Sequence, residues 1–590
     1  MSNTHNSRVI LGISSSHGDS SAAIMVEGKL IAAAEEERFN RRKHYGLFPV
    51  HSIRYCLSEA GISSQDVQII AIPRDSQANR MAKFRFALTS PQTLISRGLG
   101  TLLKRQKMRH SDLDDLRELG LSDARMHHTE HHVAHITCLA LMTEQAAVLS
   151  FDALGDFVST CKAELDRGYV RILQKQYFPQ SLGYFYTAMT QFLGFPHFGD
   201  EFKVMGLSPH GSPKYVDKLL ELVQTSDDGL FKLNPAFFDA SRLSSAFGMQ
   251  DGCPTLNPLC DFRMIESHLG LKARTKGSPL EKEHQDFAAS VQQAFEIVAT
   301  HMLVDLFRRT GSQRLGLSGG CAHNSVLVGK IPKITPFKDV FVPPAAHDAG
   351  LAVGAAVHAY LEHNGDAPPL SSTHTNVANI GPSIEYHSHM DAGRKRITAP
   401  SRKHQHKTFA KNQDLFGWLA AEMAAGKIVG YAHGRLEFGP RALGNRSILC
   451  DPRGKDTKDK LNARVKHRES FRPFAASVLY EQQTQWFESS LYSPYMEAVF
   501  RVKSDKKTLI PAVVHADGSC RIQSITEEFY PEYYGLIKAF FDLTSIPMLL
   551  NTSFNDSEPI VLNRNDALNC FDHCDMDIVV AGLDVFFKES

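Results

Sequence analysis

The sequence predicts an α/β protein of more than one domain. Three observations carry this. The chain has 590 residues, more than one typical core accommodates. Strand-like and helix-like segments alternate along its first part. From about Glu362 to Lys407 the composition turns to His, Ser, Pro and Asn without regular apolar periodicity, and a second α/β unit of roughly 180 residues follows. The expected division is a first domain over 1–365, a linker over 366–407 and a second domain over 408–590.

The elements follow in order. "RVILGIS" and "SAAIMVEGKLIAAAEEE" read as antiparallel strands, with a turn at Glu27–Gly28–Lys29. "HSIRYCLSEAGI" is an amphipathic helix ended by Gly61. "VQIIAIP" is a buried strand. Residues 76–125 are polar, helical and in places basic ("LLKRQKMRH"); they read as a solvated insertion or as part of a substrate surface. "AAVLSFDALGD" is a strand running into an acidic turn. A long helix from about Gln285 precedes the strand "RLGLSGG", and "HDAGLAVGAAVHAYLEH" is a helix rich in Ala and Gly, suited to close packing. Beyond the linker, "DLFGWLAAEMAAGKIVGYAHGRLEFG" reads as helix then strand.

Bulk properties narrow the function. A hydrophobic content of 43% with 22% charged residues is that of a soluble globular protein. A net charge of +1 argues against a general nucleic-acid binder. Ten Cys without CxxC spacing suggest reduced thiols. "MSNTHNSR" lacks an apolar signal core, and no run of about 18 apolar residues suggests a membrane span. A cytoplasmic protein is expected.

Four stretches carry candidate chemistry. "GISSSHGDSSAAIM" joins two strands with a density of hydroxyls and one His17; a polar turn is the commoner reading, a ligand loop the other. "MHHTEHHVAHITCLALM" holds five His. If helical, His131/His135, His127/His131 and His128/His132 each lie one turn apart, a spacing that suits a divalent metal. Further ligands could come from Asp152 or Asp156, or from His347 or Asp348; Asp348 also reads as a helix cap. In "LGLSGGCAHNS", Gly319 and Gly320 let backbone approach a nucleotide, with Asn324 beyond. Three such loops at strand ends form the pattern of an ATP cleft between two lobes. In the second unit, Arg435, Arg441, Arg446, Arg453, Lys466, Arg468, Arg472 and Arg521 sit in Gly/Pro turns beside strands. Their forks suit phosphate or carboxylate, with Asn551, Thr552 and Ser553 as further donors.

The motifs "HGDSSAA", "EEERFNRRKHYGLFP", "EHHVAH", "FDALGD", "GDEFKVMGLSPHG", "LSGGCAHNS", "PPAAHDAGLAVGAA", "EFGPRALGNRSIL" and "NTSFN", in this order, resemble the O-carbamoyltransferases of nodulation-factor, cephamycin and tobramycin biosynthesis. The resemblance spans nearly the whole chain. It implies a two-lobed actin/hexokinase-like (ATPase-like) first domain and a YrdC-like α/β second domain. It implies that carbamoyl phosphate and ATP form a carbamoyl-adenylate in the second domain. The carbamoyl group then passes to a hydroxyl of a small natural-product or sugar-like acceptor in the first.

Residue by residue, His131, His135, Asp152 and Asp348 match the family's metal ligands. The ion is expected to be Fe2+, although such ligands do not separate Fe from Zn or Mn; Mg2+ with ATP is a second candidate. "FDALGD" departs from the usual Asp-Gly-x-Gly-Glu turn at two positions, leaving Asp156 in doubt. His17 matches the histidine near the acceptor, and Lys43 is a candidate acceptor contact. Arg441, Lys466, Arg472, Arg521, Asn551 and Ser553 match the anion-binding set, with Arg441 and Lys466 as catalytic candidates. Gly319, Gly320 and Asn324 match the nucleotide loop. A homodimer is the expected oligomer. Two other readings stand beside this one: a tRNA threonylcarbamoyl-type modification enzyme, and a non-catalytic nucleotide- or metal-binding regulator.

Overall fold

The computed structural model describes residues 8–89, 111–364, 377–386 and 404–588. The chain divides into two compact units. Unit 1 takes 1–36, 44–324 and 331–373; unit 2 takes 37–43, 325–330 and 374–590. Two short pieces of the first part of the chain are therefore built into unit 2. The basic run at 102–110 lies outside the described residues.

Unit 1 contains two five-stranded sheets with the same plan. In the first, β1 (Val9–Ser14), β2 (Ser21–Val26) and β3 (Lys29–Glu35) form an antiparallel meander. Parallel strands β4 (Ile69–Ile72) and β5 (Arg125–His128) extend it on the other side of β1. The second sheet repeats this with β6 (Gln145–Gly155), β7 (Val158–Asp166) and β8 (Tyr169–Tyr177). Two short hairpins intervene in the chain, β9 (Val223–Thr225) with β10 (Phe231–Leu233), and β11 (Phe247–Gln250) with β12 (Cys253–Leu256). Parallel β13 (Arg314–Ser318) and β14 (Asp339–Phe341) then complete the second sheet. The spatial orders, β3-β2-β1-β4-β5 and β8-β7-β6-β13-β14, are equivalent. This duplicated mixed sheet resembles the actin/hexokinase-like fold.

Local chemistry accounts for these elements. The β2–β3 turn places Glu27 and Gly28 at φ 51° and 79°, the double positive φ of a type I′ hairpin that matches strand twist. Helix Val50–Ala60 ends at Gly61, whose φ of 64° closes the last turn at no steric cost. Helix Lys282–Thr310 starts with a capping box between Glu281 and His284. β1 is buried along its whole length, as expected of a strand covered on both faces.

Helix Leu351–Asn364 covers β1, and it does so at backbone distance. A Cβ on Gly12 would lie 1.9 Å from the Ala352 carbonyl oxygen, and one on Gly354 would lie 1.8 Å from that of Ala134. Thr137 Oγ1 donates to the Gly354 carbonyl at 2.8 Å across the second contact. The Ala- and Gly-rich composition of this helix thus decides how closely β1 and helix His131–Thr137 approach it.

Unit 2 is built on one nine-stranded sheet. Its strands are β15 (His404–Thr408), β16 (Val429–Ala432), β17 (Arg446–Cys450), β18 (Ala475–Leu479), β19 (Ala498–Arg501), β20 (Ser519–Ile525), β21 (Met548–Ser553), β22 (Ile578–Ala581) and β23 (Asp584–Lys588). The order is β15-β23-β22-β16-β17-β21-β18-β20-β19. Of the stretch expected as linker, residues 377–386 and 404–407 are part of this unit. β15 forms its edge strand, and residues 377–386 hydrogen-bond to the Arg435–Phe438 segment. Val377, Ala378, Ile380 and Ile384 supply the buried apolar contacts there. All ten Cys are free thiols. Among the described residues, no helix is long and apolar enough to cross a membrane.

Gly354→Ala should therefore lower unit 1 stability by about 1–3 kcal/mol or more, because neither backbone can yield. Gly417→Ala, in helix Asn412–Ala424 with open space around it, should be neutral or slightly stabilising. Urea midpoints of the two variants measure the contrast. Equal midpoints would contradict the close-packing account.

Candidate functional site

Helix His131–Thr137 in unit 1 is short and is fixed at its first turn. Glu130 accepts from the Val133 N–H at 3.2 Å as N-cap. Asp156 Oδ2 accepts from the N–H groups of His131 and Asp75 at 3.0 and 2.9 Å. This occupies Asp156 Oδ2 as a brace of the helix start. The helix begins at His131, so His127 and His128 lie on β5 and the wider i,i+4 ladder does not form.

The remaining spacing is as expected. His131 and His135 face one another, with their Nε2 atoms 3.2 Å apart. His135 Nε2 is 3.2 Å from Asp152 Oδ2 and 3.6 Å from Asp348 Oδ1. His131 Nε2 is 3.9 and 3.7 Å from the same two oxygens. One donor atom from each of the four residues lies within 4.8 Å of the others. A four-coordinate ion with bonds of about 2.0–2.2 Å needs donors roughly 3.3–3.6 Å apart, so this set fits a divalent metal.

The electrostatics agree. Burial alone would push both carboxyls up. His131 and His135 hold Asp152 below the usual range, while His17, His135 and His131 do the same for Asp348. Burial pushes His135 down, but the two carboxylates raise it to about 9. The pair of acids demands a positive partner in a water-poor place. Imidazole with carboxylate suits iron, zinc or manganese alike.

The other histidines are sorted by their partners. His132 is fully buried between Ser150 Oγ at 2.8 Å and the Val158 carbonyl at 3.0 Å. His128 contacts the Arg74 carbonyl. His347 faces His323 at 3.2 Å, Glu35 at 3.7 Å and Asp19 at 3.9 Å, outside the four-residue group.

His17 stands against that group. Its Nδ1 is 3.1 Å from Asp348 Oδ2 and 3.2 Å from the Gly18 carbonyl oxygen. Both neighbours are acceptors, so the proton of the neutral ring sits on Nδ1 and Nε2 carries the lone pair. The loop is held in place by the Ser16 N–H to Gly46 carbonyl bond at 2.8 Å and the Ser20 N–H to Tyr45 carbonyl bond at 2.7 Å. Ser16 and Asp19 adopt φ of 72° and 62° within it. Ser14 and Ser21, which pair at the ends of β1 and β2, donate to the carbonyls of Asp348 and Ala349 at 3.1 and 2.6 Å. The hydroxyl density of the opening loop thus fixes the turn that carries Asp348.

In the Gly-Gly loop, Gly319 has φ 85°, and a Cβ there would lie 2.3 Å from the Phe151 carbonyl oxygen. A Cβ on Gly320 would be 3.0 Å from Asp152 Oδ1, which sets this loop beside the four-residue group. Asn324 exchanges two amide hydrogen bonds with Gln292, at 2.9 and 3.0 Å. Its side chain braces helix Lys282–Thr310, a structural use that the motif does not reveal.

Unit 2 sorts the cations. Arg446 is fully buried and donates to five carbonyls, including those of His433 and Leu562. Arg435 donates to the Ile380 and Gly381 carbonyls, and Arg453 pairs with Asp451 at 2.6 Å. These three are structural. Arg441, Arg468, Arg472 and Arg521 instead lie in one another's field. Burial, Arg521 and Arg472 push Arg441 well down; burial, Arg472 and Arg521 push Arg468 down to about 9. Arg521 is pushed down to about 10 by burial and Arg472. Guanidinium groups keep their charge, so these directions measure crowding that a bound anion relieves. Arg441 and Arg521 form no ion pair among the described residues, and Arg521 Nε is buried without a hydrogen-bond partner.

Three expected residues have more specific positions. Lys466 Nζ donates to the Ser553 carbonyl, the Asn555 carbonyl and Asn555 Oδ1 at 3.0, 2.6 and 2.5 Å, so its donors are committed to the "NTSFN" loop. Asn555 was not singled out, although the second Asn of that motif signals it. Asn551 is fully buried and donates to Ser477 Oγ at 3.0 Å and to the Ala442 carbonyl at 3.3 Å, tying the Arg441 loop to the sheet. Lys43 belongs to unit 2, where burial, Arg472 and Arg38 lower its pKa. Arg41 anchors its segment there, donating to the Ile560 and Pro559 carbonyls and pairing with Glu558 at 3.2 Å.

Gly155 is the position on which the metal group depends most directly. A Cβ there would fall 2.0 Å from the His131 ring. Gly155→Ala should displace that ring and reduce bound metal about 10-fold or more, with the fold retained. Elemental analysis beside circular dichroism checks this; full occupancy would refute it.

Comparison with known proteins agrees with this architecture. The family model described as carbamoyltransferase N-terminus matches residues 9–357, and carbamoyltransferase C-terminus matches 420–588. Nodulation protein NolNO of Sinorhizobium fredii is 36% identical over 576 residues, covering 96% of this chain and 78% of that protein. An uncharacterised protein of Synechocystis is 33% identical, covering 97% of this chain and 95% of that protein. The 3'-hydroxymethylcephem-O-carbamoyltransferase of Amycolatopsis lactamdurans is 31% identical over 250 residues, 42% of this chain and 44% of that enzyme. Among solved structures, HypF of T. kodakarensis overlaps with a TM-score of 0.31 at 16% identity, covering 61% of this chain and 48% of that one, too low to assign a fold. The chain belongs to the O-carbamoyltransferase family of the nodulation and cephamycin type, and is an enzyme of carbamoyl transfer.

Proposed function

We propose that this enzyme carries a carbamoyl group from carbamoyl phosphate to a hydroxyl of a small molecule, in two steps at two sites. The observation that carries the reading is the cluster of Arg441, Arg468, Arg472 and Arg521 in unit 2, a concentration of guanidinium charge larger than its acidic neighbours balance. Carbamoyl phosphate and ATP together bring several negative charges, and such a cluster attracts them and stabilises charge developing in transfer. In this first step water hydrolyses the mixed anhydride of carbamoyl phosphate, giving carbamate and inorganic phosphate. The carbamate oxygen attacks the ATP α-phosphorus, forming carbamoyl-adenylate and releasing pyrophosphate. Unit 2 is on this reading a YrdC-like domain. Lys466 holds the Ser553–Asn555 loop, and Lys43 adds charge.

The second step belongs to unit 1. The acceptor oxygen forms a bond to the carbamoyl carbon, the bond to the AMP phosphate oxygen breaks, and AMP leaves. The acceptor proton goes to His17 Nε2, while Nδ1–H donates to Asp348 and keeps the base in the required tautomer. Gly320 offers its backbone N–H to the adenylate phosphate, while the Gly319 N–H, bonded to the Ala346 carbonyl at 2.8 Å, holds the loop. The residues His131, His135, Asp152 and Asp348 fit Fe2+, which supplies Lewis acidity when bound. The hydroxyl acceptor is supported by the cephem relative, whose name records O-carbamoylation of a hydroxymethyl group.

Two variants separate the steps. Arg441→Ala should abolish pyrophosphate and AMP formation from ATP and carbamoyl phosphate. His17→Ala should retain pyrophosphate formation and lose at least about 100-fold in acceptor carbamoylation, the contribution typical of a general base. Production of ADP in place of AMP would refute the adenylate route. Equal loss of both activities in His17→Ala would refute the division of labour.

A further inference from the structure

We propose that unit 1 carries a second divalent-cation site, formed by His127, His358 and Glu362 and suited to zinc. None of its residues belongs to the four-residue group, and it does not depend on the proposed reaction. His127 projects from β5 and is buried. His358 and Glu362 lie one turn apart on helix Leu351–Asn364 and so share a face. His127 Nε2 is 3.1 Å from His358 Nδ1. Glu362 places one carboxylate oxygen 3.7 Å from His358 Nε2 and the other 4.0 Å from His127 Nδ1. One donor atom of each residue lies within 4.8 Å of the others.

The 3.1 Å between His127 Nε2 and His358 Nδ1 is close to the separation of about 3.3 Å that Zn–N bonds of about 2.0–2.1 Å impose in tetrahedral coordination, while Glu362, on the helix face of His358, faces the other nitrogen of each ring. The ring of His363 lies 5.4 Å from that of His127, beside the three-residue group and outside it. Nitrogen-rich ligation of this kind favours zinc over magnesium or calcium.

The position suggests what the ion does. His358 is ten residues beyond Asp348, or about 15 Å along a helix axis. The helix that carries Asp348 at its start would thus be clamped to β5 near its end. The site would be structural in kind, open to solvent at Glu362 and distant from the reacting groups.

The test counts metal on the full-length chain. Protein stripped with a chelator is dialysed against Zn2+ and analysed for bound zinc, as wild type, His358→Gln and Glu362→Gln. Wild type should retain one more zinc ion per chain than either variant, and the zinc-dependent rise in its unfolding temperature should be larger. Glu362 is exposed, so Glu362→Gln folds even if His358→Gln does not. Gly155→Ala should keep the zinc that Glu362→Gln loses, which separates this site from the four-residue group. Equal zinc content in wild type and Glu362→Gln would overturn the proposal and leave an imidazole pair joined by a proton.

Discussion

The two oxygens of the Asp348 carboxylate hold unit 1 chemistry together. Oδ1 faces His131 and His135, while Oδ2 faces His17. On the proposed reading, a metal ligand and the partner of the base are therefore the same group. Its position is set from three directions. Ser14 and Ser21 bond the backbone of the turn, Gly12 lets β1 reach the helix that follows, and Gly354 lets that helix reach the one bearing the histidines. Neither glycine contact leaves room for a methyl group. The site is rigid because its framework is backbone packed on backbone.

The two units differ in electrostatic character, and the proposed two-step transfer accounts for it. Unit 2 gathers guanidinium groups with few acids among them, an arrangement costly until an anion arrives. Unit 1 gathers imidazoles and carboxylates, which can hold a cation and accept a proton. Capturing phosphorylated substrates and deprotonating an alcohol require opposite fields, and one pocket would serve neither well. The inclusion of residues 37–43 in unit 2 adds Lys43 to its positive set, although that segment follows the first hairpin of unit 1 in sequence.

Much of the fold was legible because it depends on local patterns. The turn at Glu27–Gly28, the stop at Gly61 and the strand entering Gly319 all follow from side-chain periodicity and positive φ. At the end of the stretch read as a linker, polar composition hides an edge strand. β15 reads His-Gln-His-Lys-Thr, and as an edge strand exposed on most of its length it needs no apolar alternation. Likewise, nothing in the spacing of five histidines reveals that the helix starts only at His131. That depends on Asp156, which is distant in sequence and is held by a second sheet.

The sequence by itself determined the chemistry available: which strand ends carry Ser, Gly and Asp, where His131 and His135 share a helix face, and where arginines concentrate. Local spacing suffices for these, because neighbours along one element meet at fixed intervals. Only the tertiary structure decided which members of each set act together. It separated Asp152 from Asp156, Arg441 from Arg446, and His131 from His127 through partners far away in the chain. A carboxylate beside buried N–H donors, like Asp156, or a guanidinium beside buried carbonyls, like Arg446, is held as a brace. That difference is made by packing, which no residue's own neighbours in sequence can specify.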